Sequence, residues 1–116
     1  MVMSSRIKKP TSAKKQIANI VRRIVRRFQP DKIILFGSHA RGQAGPDSDV
    51  DLLIVMPVEG SIRQKRVEIR LALDDFTVPL DIKVTTPEDF VWRQEVVGTI
   101  EWPAVREGKV LYARSQ

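Results

Sequence analysis

Apolar positions along the chain follow two periods. Ile17, Ile20, Val21, Ile24, Val25 and Phe28 recur at helical spacing between Ser12 and Pro30, the pattern of a helix with one buried face. Thr11 or Ser12 can cap its start, and Pro30 stops it. A second helix is expected over 61–76, burying Ile62, Ile69, Leu73 and Phe76 and exposing Arg63, Lys65, Arg66 and Arg70. Between these lie shorter runs of strand character. Lys32 to Phe36 is β-branched and ends on Gly37-Ser38; Asp49 to Met56 is closed by Pro57 and Gly60. Pro79 to Thr85 alternates Leu80, Ile82 and Val84 with Asp81 and Lys83. Ser38 to Arg41 suits a single helical turn, and Gly42, Gly45 and Pro46 mark a loop. Pro87 suits the first turn of a helix over 87–97, and Lys109 to Ala113 reads as a last short strand. Residues 1–11 offer little to bury and read as a flexible basic tail, leaving 12–116 as one domain.

Composition narrows the chemistry. The 116 residues are 42% hydrophobic, ordinary for one globular core. No stretch approaches the roughly 18 apolar residues of a membrane span, and the N-terminus has no apolar signal segment, so the expected compartment is the cytoplasm. There are no cysteines and one histidine, so any metal must sit on oxygen ligands, which favours magnesium, calcium or manganese. The net charge of +6 is uneven: residues 1–28 carry nine Lys and Arg and no acid, against eleven basic and fourteen acidic residues in 29–116. Arg22, Arg23, Arg26 and Arg27 crowd the polar face of the first helix. That face suits an anionic partner, nucleic acid among them, or is simply solvated.

The chemistry concentrates between Ile33 and Val55. On a strand, Asp49 and Asp51 project to one side while Val50 and Leu52 turn to the other. Two neighbouring carboxylates repel, which a bound divalent cation offsets. Asp81 lies on the polar side of the third strand and completes a three-carboxylate cluster if that strand lies beside the second. Such a cluster can hold two metal ions for in-line displacement at phosphorus. Gly37 lets backbone approach a phosphate, Ser38 adds a hydroxyl, and amides at a helix start favour anions. Arg41 is placed to meet phosphate or a carboxylate. No Gly-Lys-Ser/Thr follows, so this is not a Walker A loop. His39 is a phosphate contact or a loop residue without a role; Trp92 and Trp102 are base-stacking platforms or core and interface residues.

Gly37-Ser38-His39-Ala40-Arg41-Gly42 followed by Ser48-Asp49-Val50-Asp51-Leu52 resembles the signature of the minimal nucleotidyltransferases of the DNA polymerase beta superfamily. The resemblance covers residues 33–55, with Asp81 matched more loosely by strand context. It implies an α/β (α+β) fold with a small mixed β-sheet flanked by helices. It also implies Mg²⁺, two ions in all, with ATP as substrate, and transfer of a nucleoside monophosphate with release of pyrophosphate. In that frame Gly37, Ser38, Arg41 and Ser48 bind nucleotide, and Asp49, Asp51 and Asp81 bind metal and carry catalysis. Relatives of this size resemble the antitoxin of a toxin–antitoxin module whose partner is a small helical HEPN toxin, silenced by adenylylation of a tyrosine in a hetero-oligomer. Transfer to a small molecule or nucleic acid with a separate acceptor subunit is the alternative, as is neutralisation by contact alone.

Overall fold

In the computed structural model, residues 12–45 and 47–115 are described, and the tail expected over 1–11 lies outside them. Helix α1 (Ala13–Phe28) starts where the Ser12 hydroxyl accepts the Lys15 N–H at 3.2 Å. It ends on Gln29, which takes the left-handed conformation (φ 51°) and returns its N–H to the Val25 carbonyl. Strands β1 (Lys32–Phe36) and β2 (Val50–Val55) pair antiparallel, with the turn α2 (Ser38–Arg41) between them. Helix α3 (Ile62–Ala72) crosses over to β3 (Leu80–Thr85), which pairs parallel with β2. Helices α4 (Pro87–Arg93) and α5 (Glu101–Glu107) then lead to β4 (Lys109–Ala113), antiparallel to β1. The sheet order is β3-β2-β1-β4, mixed as expected.

Alternation along the strands divides the molecule into two layers. Ile33, Leu35, Val50, Leu52, Ile54 and Ile82 share a core with Ile20 and Ile24 of α1 and Ile69 of α3. On the other face Ile34, Leu53 and Val55 pack with Phe90 of α4 and Ala104 of α5. Ile20, Ile24 and Ile69 are fully buried, each contributing about 1.5–3 kcal/mol by leaving water. Gln16 ties α1 to the approach of β3: its Oε1 accepts from the Thr77 and Val78 amides at 3.2 and 3.1 Å. No helix among the described residues is long and apolar enough to cross a membrane.

Several boundaries differ from the pattern reading. Strand β2 is one residue shorter at each end, so Asp49 stands just ahead of it. Helix α3 stops at Ala72 rather than 76, because acids at a helix C-terminus oppose its dipole; Asp75 turns instead to bind Arg23. Leu73 is still buried, whereas Ile62 and Phe76 are only half-buried. Helix α4 ends at Arg93, and α5 has no counterpart in the sequence reading.

Candidate functional site

The start of β2 and the start of β3 meet at one end of the sheet. Parallel pairing sets Asp51 directly beside Asp81, while Phe36 at the end of β1 is the other neighbour of Asp51. Both aspartates lie on the α4/α5 side, opposite Val50 and Ile82. Asp51 is half-buried and its carboxyl is pushed above the usual aspartate range. Burial is the main cause, followed by the charges of Asp81 and Asp49 and a hydrogen bond with Asp81; His39 opposes them. Asp49 is exposed at the mouth of the strand, close enough for its charge to act on Asp51. The three acids are thus a contacting pair with a flanking third. Among the described residues no three His, Asp or Glu side chains form a preformed metal cage.

Gly37, the N-cap of α2, leaves room for the Asp51 carboxylate. A Cβ built on Gly37 would meet Asp51 Oδ2 at 2.1 Å, and φ is +75°, so only glycine permits both the bend and the contact. Its carbonyl accepts the amides of Ala40 and Arg41, closing the turn. The first amides of such a turn have no acceptor within it, and Ser38 stands among them. The loop that follows is pinned at both ends. Ser48 Oγ accepts the Gly45 amide at 2.8 Å, and His39 Nε2–H donates to the Ser48 carbonyl at 3.2 Å. His39 is therefore a positioning residue for the segment leading into Asp49, a role its sequence neighbourhood alone did not reveal.

Arg41 is exposed; it donates to Gln43 at 3.2 Å and pairs with Glu107 of α5 at 3.6 Å, not with the aspartates. Lys83 was left without a role by the sequence, yet its Nζ lies 3.5 Å from Asp81 Oδ1. The spacing of two between Asp81 and Lys83 carried that information. Trp92 is exposed on α4 with its indole N–H on Asp89, and Trp102 is half-buried under the Arg106 guanidinium.

An all-oxygen donor pair whose charges repel, next to a glycine bend with open amides, fits a divalent cation and a polyphosphate. Comparison with known proteins points the same way. The sequence profile of the nucleotidyltransferase domain family matches residues 14–105. A protein of Methanocaldococcus jannaschii, named "putative protein adenylyltransferase", is 34% identical over 74 residues, covering 59% of this chain and 75% of its own. In fold, the chain is similar to a "putative nucleotidyltransferase" from Sulfolobus solfataricus (TM-score 0.60, 20% identity, 86% of this chain and 79% of that one). It is also similar to a chain in the crystal structure of a toxin–antitoxin with AMP-PNP (TM-score 0.51, 22% identity, 85% and 75%).

Proposed function

Because the chain belongs to the nucleotidyltransferase domain family, and is therefore a nucleotidyltransferase, we propose that it moves adenylate from ATP to a hydroxyl on a partner protein. The observation that carries this reading is the meeting of Asp51 and Asp81 in parallel register beside the Gly37 bend. Asp49, Asp51 and Asp81 would hold Mg²⁺, which when bound neutralises charge on the transferring phosphoryl group. Gly37 and Ser38 would cradle the triphosphate, with Ser48 fixing the loop and Arg41 at its rim. Lys83 keeps Asp81 partly compensated and oriented. His39 holds the loop before Asp49 in place, so that the carboxylate needs little reordering on binding.

The acceptor reading rests on two supports. The relative from Methanocaldococcus is named for protein adenylylation, and a structure of the same fold comes from a toxin–antitoxin. Transfer at phosphorus depends mainly on positioning and charge stabilisation, so a docked protein hydroxyl can serve as nucleophile. A helical toxin of the HEPN type, modified on tyrosine, is the partner this reading takes. Wild-type protein co-expressed with its partner should leave adenylate on the partner by mass spectrometry, and Asp49→Asn should leave none. The same variant should lose Mg²⁺-dependent ATP binding in calorimetric titration. A variant that still modifies the partner would overturn the site; one that protects cells from an unmodified partner would show neutralisation by contact.

A further inference from the structure

The two faces of the molecule differ sharply in charge. Helix α1 carries six cations and no acid, and the segment 61–76 packed on the same side of the sheet carries four cations against three acids. On the opposite side, residues 87–107 carry five acids against two cations. Asp51 and Asp81 face that second side, so the carboxylate pair of the transfer site does not use the arginines of α1.

Within the basic face is a concavity of about 360 Å³ lined by Asn19, Arg22, Arg23, Arg26 and Phe76. Its volume lies near the small end of ligand pockets. Arg23 is committed to the fold: it donates to the Ala72 carbonyl at 3.0 Å and pairs with Asp75, and its guanidinium lies 4.7 Å from the Phe76 ring centroid. The guanidinium is thus held over the Phe76 ring. Arg22 and Arg26 stand one helical turn apart and exposed beside it. Arg22 bonds only to Asn19, and the Arg26 guanidinium makes no hydrogen bond or ion pair among the described residues. Two arginines with unspent donors suit phosphate oxygens. A flat aromatic–guanidinium surface with an amide beside it suits a base turned out of a single strand.

We propose that this face binds single-stranded nucleic acid, with Arg22 and Arg26 on the phosphodiester backbone and one base against the Phe76–Arg23 stack. The binding is independent of the transfer reaction, since it uses the other side of the sheet. Its consequence is to bring the enzyme to a strand without blocking the acids.

The test uses fluorescence anisotropy of a labelled twelve-nucleotide oligouridylate with the full chain, between about 50 and 200 mM salt. Arg22→Gln/Arg26→Gln should weaken binding about tenfold or more and lower the salt slope by about 1.4, near 0.7 for each lost contact on a single strand. Arg23 is left intact because it anchors the fold, and a matched melting temperature confirms that the variant is folded. Arg63→Gln/Arg66→Gln removes the same charge from α3 and should cost much less. Asp51→Asn should bind the strand like wild type. No binding at low salt, an equal loss in both double variants, a preference for duplex of the same charge, or equal affinity for a polyglutamate peptide would each overturn the proposal.

Discussion

At Asp51 the fold holds a carboxylate where burial and two like charges work against ionisation. A folded-state pKa raised above the unfolded value means that this group's stabilising contribution is complete below the unfolded pKa. It is lost as pH rises through the folded value. At neutral pH the ionised group is therefore a penalty that Asp51→Asn removes, and the amide can still donate to Asp81. The variant should melt at a higher temperature than wild type at pH 7. The gap should close as pH falls below about 4, where both side chains are uncharged. Thermal melts across pH 3–8 read this directly, and a gap that stays constant would show that charge is not its cause. The side of β2 on which Asp51 lies was legible in the sequence, because alternation along a strand turns Val50 and Leu52 the other way, although Asp49 stands just ahead of the strand. The contact of Asp51 with Gly37 was not, since it depends on how the chain bends where β1 passes into α2 beside β2.

Elements show where pattern reading works and where it stops. Helix α1 combines an apolar stripe, a serine cap and a following proline, and it appears within a residue of expectation. Helix α5 gives no such signal. Its N-cap residue Ile100 has no capping side chain, the Trp102 amide turning instead to the Thr99 hydroxyl at 3.2 Å; Pro103 sits in its first turn, and it has only seven residues. Tertiary contacts hold it: Ala104 is buried under the sheet, and Glu101, 4% exposed, receives the Arg93 Nε–H at 3.2 Å. That ion pair latches α4 to α5. Arg93→Leu should destabilise the protein by about 2–3 kcal/mol in urea unfolding, because it strands a buried carboxylate. Arg93→Leu/Glu101→Leu should recover most of the loss. A single variant within about 0.5 kcal/mol of wild type would show that Glu101 is compensated elsewhere.

For the whole molecule, sheet order was the missing link in the sequence reading. The third carboxylate could be placed only on condition that the third strand lies beside the second, and it does so in parallel, with α3 as the crossover. Nothing in the local pattern of Pro79 to Thr85 names its neighbour, because strand pairing is a long-range choice. The same topology makes the site a late event in time. Helix α1 and the β1–β2 pair draw on nearby sequence, whereas Asp51 and Asp81 become neighbours only after the crossover has closed, and such non-local contacts form slowly. Their mutual repulsion is a further reason for β3 to dock slowly onto β2, although the pairing of β4 with β1 spans still more of the sequence. In stopped-flow refolding, helical circular dichroism should recover ahead of the capacity to bind a fluorescent ATP analogue with Mg²⁺. The last phase should quicken in Asp51→Asn, read there by tryptophan fluorescence. Ligand competence that returns with the first helical signal would place the crossover early instead. A chain emerging from the ribosome thus acquires the pair only once β3 has been made, and a product that stops before Leu80 has the bend at Gly37 without it.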